Sequence, residues 1–559
     1  MLLSNNNVNN FILRLVFMLL LSYDIQAACE YLGNLKLSNT TITAQSVPVG
    51  SFTAPDGKVY DVPSFCRVHG VSKPTNNSHI NFEVWMPASD WNGRYYQLGN
   101  GGFAGSISYG EMAGNLNQGN VVSATDNGHE ANALDASWAL NHPEKIVDFG
   151  YRSLKVTTDK AKALINAYYG RKPHYSYFVG CSDGGREALM VAQRFPEDWN
   201  GILVGAPANY WTRQFTGFAW NQKALRANPY SYIFPGKLAA IQRAALSSCD
   251  ANAHLVGGIA SDPRFCRYDP SVLICQGRET DECLTKEQVR ALKKIYSGPR
   301  DPQTGEKIFP GYEPTMESET QKSDGSWTGG WRQWIIHKNP AEAAQFIFAN
   351  EFFSNMVFDN PDWDIRTHSA KNDYEFTITK SIADETMTSI LNADSPNLGA
   401  LEKRDGKILM YFGWGDASNP PQAGIDYYES VKNQMGVQRT HNFYRLFMVP
   451  GMAHCVGGPG PNSFGAFHTF PDGIPEPLKE DVDHNIIRAL EAWVENGIAP
   501  EKIIATKFID DDPSQGVKLT RPLCPYPKIA VYKGVGDITK EASFICREGV
   551  PPTVAANKK

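Results

Sequence analysis

Short apolar runs bounded by clusters of Asn, Gly and Pro mark the first part of this chain and predict strands over 80–86, 94–98 and 121–125. The period then changes. A helical pattern over 154–169 precedes a strand at 175–179, a second helix covers 185–195, and a strand follows at 201–204. Strand alternating with helix argues for a parallel sheet covered on both faces, that is, for an α/β fold. The rhythm stops after about Ala208 and returns only near 398. Between them lie four cysteines, polar loops and the run KSDGSWTGGWRQW. Strands at 407–413 and 443–449 and a helix over 479–496 then resume the pattern. The expected organisation is one catalytic α/β domain, 28–208 with 398–559, interrupted by a lid domain at 209–397.

The N-terminus bears on where the chain works. Arg14 precedes the apolar run 15–21, and the small residues Ala27 and Ala28 follow, which resembles a secretory signal peptide covering 1–27. The run is well short of the ~20 residues that span a bilayer. Ten cysteines, an even number, fit an exported, disulfide-bonded protein. Local pairing joins Cys29 to Cys66, Cys249 to Cys266, Cys275 to Cys283 and Cys524 to Cys546, and leaves Cys181 and Cys455 for each other. No C-x-x-C pair is present, so a zinc site is not expected. The balance of 53 Lys+Arg against 59 Asp+Glu, with no basic block, argues against a nucleic-acid or anionic-membrane partner.

Candidate chemistry sits at the strand ends. The 175–179 strand runs into Gly180-Cys181-Ser182-Asp183-Gly184, a G-x-S-x-G pattern between a strand and a helix. A sharp turn there exposes the serine, and small residues two before and two after it avoid a collision. A serine hydroxyl needs a base to take its proton, and the base needs a carboxylate to hold its tautomer. The strand at 407–413 leads to Asp416 and the strand at 443–449 leads to His454, so Ser182, Asp416 and His454 are the expected triad. Among the other late histidines, His441 precedes its strand, His484 falls inside the predicted helix, and His468 in a loop is the rival base. Cys181 and Cys455 adjoin the serine and the histidine, and a bond between them would clamp the two loops together. The oxyanion donors are expected to be the N–H of Asp183 and that of Gly101 or Gly102, in the loop 99–103. A dinucleotide role for these glycines is disfavoured, because the following SISYGEMAGN does not open an apolar-periodic helix.

Taken together, GCSDGG, FGWGD and GMAHC resemble the tannase and feruloyl esterase family, as do YQLGNGGFAG, WNGILVGAPA, FFSNMVFDNPDWD and RPLCPYPKIAVYKG elsewhere in the chain. The resemblance implies an α/β-hydrolase fold with a large lid domain inserted between the nucleophile and acid strands. It also implies a serine and a histidine each flanked by a disulfide-bonded cysteine. The implied activity is hydrolysis of esters of aromatic acids: galloyl or hydroxycinnamoyl esters, or in one branch a terephthalate monoester. The family's lid usually carries a calcium loop, CDxxDGVxDGxI. Here Asp250 remains while Ala253 and Gly257 occupy the other two aspartate positions, so bound calcium is expected to be lost and no cofactor is expected. Aromatics crowd the lid between Trp327 and Trp363, and Trp331, Trp334, Phe352 and Phe353 are candidates for stacking on an aromatic acid. The expectation is a secreted serine carboxylic ester hydrolase acting on a small aromatic ester. Its rivals are a serine carboxypeptidase-like peptidase and a non-catalytic binding protein of the same fold.

Overall fold

The computed structural model describes residues 28–249, 255–318, 320–321, 327–328, 330–368, 372–466 and 477–549. The expected signal peptide, His468, Asp250 and Ala253 lie outside the described residues.

Nine strands form the organising sheet: β1 (Thr40–Val47), β2 (Phe65–Ser72), β3 (Ile80–Pro87), β4 (Arg94–Leu98), β5 (Val121–Thr125), β6 (Tyr175–Cys181), β7 (Gly201–Gly205), β8 (Lys407–Gly413) and β9 (Tyr444–Val449). Their order is β1-β2-β3-β5-β4-β6-β7-β8-β9. The first three strands pair antiparallel, β3 pairs antiparallel with β5, and every later pairing is parallel. Strands β7 and β8 are buried along their whole length, as the apolar runs Ile202–Val204 and Ile408–Phe412 require of parallel strands covered on both faces. Register places Cys181 opposite Gly205 and Gly413 opposite Val449, so β6 to β9 end along one rim. This is an α/β-hydrolase fold.

The segment between β7 and β8 adds no strand to this sheet. It carries the helices Trp211–Leu225, Leu238–Ser247, Lys286–Ser297, Ala344–Glu351 and Asp373–Leu391. The absence of rhythm in this stretch reflects long polar connections between these helices; the Lys286–Ser297 helix, for example, starts at a Thr285–Gln288 capping box. One apolar cluster of the insertion, around Phe215, Phe348 and Phe352, is shared with Phe103, Trp138 and Phe149 of the sheet domain.

Two local expectations are corrected. Residues Tyr109–Asn117 do form a helix, because Met112, Ala113 and Leu116 give it a short buried face. The late helix begins at Ile486 rather than 479, since the Asn485 side chain accepts the amides of Ile487 and Arg488 and caps it there. His484 therefore precedes that helix, with Nδ1 against Asp481.

Five disulfides join Cys29–Cys66, Cys181–Cys455, Cys249–Cys266, Cys275–Cys283 and Cys524–Cys546. Among the described residues, no helix is long and apolar enough to cross a membrane.

Candidate active site

Ser182 follows β6 directly and takes φ 65°, ψ −119°, a conformation that strains any residue with a side chain. The turn closes only because its neighbours lack side chains: a Cβ on Gly180 would lie 2.4 Å from the Gly184 carbonyl oxygen. Ser182 is thereby held out over the rim, at the head of the helix Asp183–Arg194.

Asp416 and His454 reach the same point from β8 and β9. His454 Nε2 lies 2.8 Å from Ser182 Oγ, and Nδ1 lies 2.7 Å from Asp416 Oδ2. A carboxylate only accepts, so Nδ1–H donates to Asp416 and Nε2 is left to accept the serine proton. Asp416 is 2% exposed, and its Oδ1 accepts the amides of Ser418 and Asn419, both at 2.8 Å. The carboxylate is thus fixed before it meets the imidazole. Cys181 and Cys455, one residue from Ser182 and His454, are bonded with Cα atoms 6.1 Å apart. His454 carries the Trp334 ring edge-on at 5.1 Å.

The glycine loop after β4 is tied to the helix that Ser182 heads. Asn100 N–H donates to Glu187 Oε2 at 2.9 Å, and Gly184 N–H donates to the Asn100 carbonyl at 2.7 Å. Asn127 Nδ2 donates to the other Glu187 oxygen at 2.6 Å. Burial, with the Asp183 charge nearby, lifts the Glu187 carboxyl to about 8. Gly102 sits at φ 59°, and the amides of Gly101 and Gly102 have no backbone acceptor among the described residues. Asp183 is anchored by Arg186, whose fully buried guanidinium lies between the Phe149 and Trp211 rings and donates at 2.5 Å. Burial raises the Asp183 carboxyl and Arg186 opposes the shift.

Two connected spaces meet at Ser182. A cavity of about 430 Å³ is lined by the 99–102 loop, Ser106, Ser108, Glu111, Ser182, Trp334, Phe348, His454 and Val456. A narrow slot of about 20 Å³ is lined by Gly102, Ser182, Asp183, Trp211, Phe215, Phe218, Trp334, Phe348 and Ser418. The structure thus brings Ser182, Asp183, Gly101, Gly102, His454 and Trp334 to one place. Three expected substrate contacts are not among the lining residues. Trp331 is 2% exposed and packs on Tyr296 and Tyr312, while Phe352 and Phe353 are wholly buried in the insertion's aromatic core. Sequence reasoning missed Trp211, Phe215 and Phe218, whose i, i+4, i+7 spacing on one helix was the available signal.

The calcium loop that the resemblance implies does not fit the residues present. Gly257 and Gly258, at φ 64° and 77°, make the two-residue turn of a hairpin, Leu255–Val256 with Ile259–Ala260. Val256 is buried against Cys524, Ala530 and Phe544, and nearby Asp262 is held by Arg264 at 2.6 Å. Among the described residues of this stretch, Val256 and Ile259 are apolar and Gly257 and Gly258 carry no side chain, whereas a hard cation needs oxygen ligands.

The family model for tannase and feruloyl esterase matches residues 66–547. An esterase of Xanthomonas campestris pv. campestris is 43% identical over 545 residues, covering 94% of this chain and 92% of that protein. A mono(2-hydroxyethyl) terephthalate hydrolase of Piscinibacter sakaiensis is 30% identical, with 94% and 92% covered. The crystal structure of feruloyl esterase B from Aspergillus oryzae superposes with a TM-score of 0.81 at 26% identity, covering 94% of this chain and all of that one. This chain therefore belongs to the tannase and feruloyl esterase family, and it is a carboxylic ester hydrolase.

Proposed function

We propose that the protein is a secreted serine esterase that cleaves esters of aromatic acids through an acyl-enzyme. The observation that carries this reading is the hydrogen-bonded line from Ser182 through His454 to Asp416 at the mouth of an aromatic slot. Ser182 Oγ attacks the ester carbonyl as His454 Nε2 takes its proton, and Asp416 stabilises the imidazolium. Negative charge on the carbonyl oxygen meets the N–H groups of Asp183 and of Gly101 or Gly102. Collapse breaks the ester bond, and the proton passes from His454 to the departing alcohol oxygen. Water then attacks the acyl-serine with His454 as base, releasing the acid and restoring Ser182.

The acyl ring enters between Trp211, Phe215, Phe218, Trp334 and Phe348, which form a stacking surface. Because the slot, at about 20 Å³, is too narrow for a ring as it stands, the 209–397 insertion that supplies these five side chains acts as a lid that parts for the ring. The named activities of a feruloyl esterase and a terephthalate monoester hydrolase among the relatives support an aromatic acid. Secretion is supported by five disulfides, which persist in oxidising compartments, and by the N-terminal sequence.

The test is hydrolysis of methyl ferulate, methyl gallate, a terephthalate monoester and p-nitrophenyl acetate by the wild type and by Ser182→Ala. Turnover of an aromatic ester that vanishes in the variant is the expected result. Cleavage of a blocked dipeptide with no ester turnover would overturn it.

A further inference from the structure

One fully buried acid stands between the nucleophile helix and the glycine loop, away from the reacting atoms. Glu187 is 0% exposed, and a carboxyl taken out of water is costly where an apolar side chain of similar shape is not. The Asn100 N–H, which points at the helix Asp183–Arg194, accounts for it. The carbonyls of that helix are taken by the helix itself, so the acceptor for this amide has to come from a side chain, and Glu187 supplies it.

Two successive peptide units of the loop are held by this helix. The 99–100 unit donates through the Asn100 N–H to Glu187 Oε2 at 2.9 Å, and the 100–101 unit accepts at the Asn100 carbonyl from the Gly184 N–H at 2.7 Å. A trans peptide is planar with its C=O and N–H on opposite sides, so the second bond turns the Gly101 N–H away from Gly184. That amide has no backbone acceptor among the described residues, and Gly101 lines the cavity at Ser182. Loop and helix approach closely: a Cβ on Gly99 would lie 2.6 Å from Gly184 Cα and 2.8 Å from Glu187 Oε2. The other Glu187 oxygen is fixed in turn. Asn127 Nδ2 donates to it at 2.6 Å, and Asn127 Oδ1 accepts from Ser153 Oγ at 3.0 Å, so the turn after β5 sets the carboxyl from behind. Asn127 and Ser153 are likewise fully buried.

We propose that Glu187 is a positioning residue for the oxyanion hole: it holds the 99–102 loop so that the Gly101 N–H converges with the Asp183 N–H on the carbonyl oxygen of the substrate. This rests on the serine-esterase mechanism given above and selects Gly101 of the two glycines named there. Glu187 lies one helical turn beyond Asp183, so a single rigid element fixes both donors. Donors fixed in this way need no reorganisation as charge develops on the oxygen.

The experiment measures p-nitrophenyl acetate hydrolysis in wild type, Glu187→Leu, Glu187→Asp and Glu187→Gln, per active site as counted by titration with diethyl p-nitrophenyl phosphate. Inhibition by phenylboronic acid and by benzoate is measured beside it. The boronic acid adds to Ser182 Oγ as a tetrahedral anion that needs the oxyanion donors, whereas planar benzoate reports ground-state binding alone. Glu187→Leu should lower kcat about 100-fold with little change in KM, and weaken phenylboronic acid by a similar factor while leaving benzoate unmoved. Glu187→Asp keeps the acid but withdraws its oxygens by one methylene; it should change in the same direction, and it carries the test if the leucine variant does not fold. Glu187→Gln still offers Asn100 an oxygen and should keep kcat within about tenfold of wild type. A kcat within about threefold of wild type in either Glu187→Leu or Glu187→Asp overturns the proposal, and so does an equal loss of boronate and benzoate affinity, the mark of a disordered site. A wild type that turns over no ester removes the serine-esterase reading and this one with it. Brisk turnover that survives the variants rejects the positioning role alone.

Discussion

Replacing Cys181 and Cys455 together by serine separates two things the bond does. The bond spans 274 positions, against 8 for Cys275–Cys283. In the chain-entropy model the long closure is worth about 5.6 kcal/mol at 25 °C and the short one about 2.5 kcal/mol. Spread over the unfolding entropy of a 559-residue chain, these correspond to falls in Tm of about 5 °C and about 2 °C. The effect on turnover follows from position. Without the bond His454 is still held by Asp416, and its loop by the Gly415 amide on the Met452 carbonyl at 2.8 Å. The loop loosens without leaving. A misplacement of about 1 Å between nucleophile and base costs on the order of a hundredfold in rate. The double variant should therefore lose about 10- to 100-fold in kcat, while Cys275→Ser/Cys283→Ser keeps its kcat. Circular-dichroism melting and steady-state ester hydrolysis on the oxidised proteins measure both. Equal Tm losses in the two variants, or a kcat within twofold of wild type in the first, would refute the reasoning.

Asp416→Asn keeps shape but offers Nδ1 an amide in place of a charge, so kcat for an aromatic ester should fall about 10⁴-fold with little change in melting temperature. A loss below tenfold would show that Asp416 does not orient His454. Stability should decline as pH rises from 6.5 to 8.5. Burial lifts Glu111 and Glu187 to about 8 and Asp126, Glu313 and Glu317 to about 7, against roughly 4 in an unfolded chain. Between those limits the folded state binds more protons than the unfolded one, so this stability is complete below about pH 4 and is lost as pH passes through 7 to 8. A Tm that holds steady or rises over that interval would contradict these shifts.

The strands that end near Ser182, Asp416 and His454 were readable because parallel strands buried on both faces leave continuous apolar runs, and each run here stops at glycine or proline. Strand β1 was not. Its residues alternate between half-buried and exposed, and a run such as TTITAQSV carries too little apolar contrast to separate strand from loop. Aromatic density misled for a different reason. Large rings fill lid cores as readily as they line sites, so Trp331, Phe352 and Phe353 resemble Trp334 in sequence and differ only in what covers them. Glu111 left no trace, since an acid on a short helix reads as a solvated face until the fold buries it.

The hairpin at 255–260 frames the last prediction, because it stands where the resemblance implies a calcium loop. A metal site stabilises such a loop by tying oxygen ligands to one ion, and removing the ion then destabilises the fold. Here Cys249–Cys266 closes the base of the loop, Val256 packs beside Phe544 and the Cys524–Cys546 bond, and the Ile259 side chain reaches the Gly451 turn on the way to His454. Among the described residues the anchoring is apolar and covalent. Chelation should accordingly leave Tm and kcat unchanged, whereas Val256→Asp, which buries an unpaired charge in that contact, should lower Tm. Calcium retained in one-to-one ratio after dialysis, or a Tm that drops on chelation and recovers with added calcium, would refute this. In that case Asp250 and backbone carbonyls would have to hold the ion without the two missing aspartates.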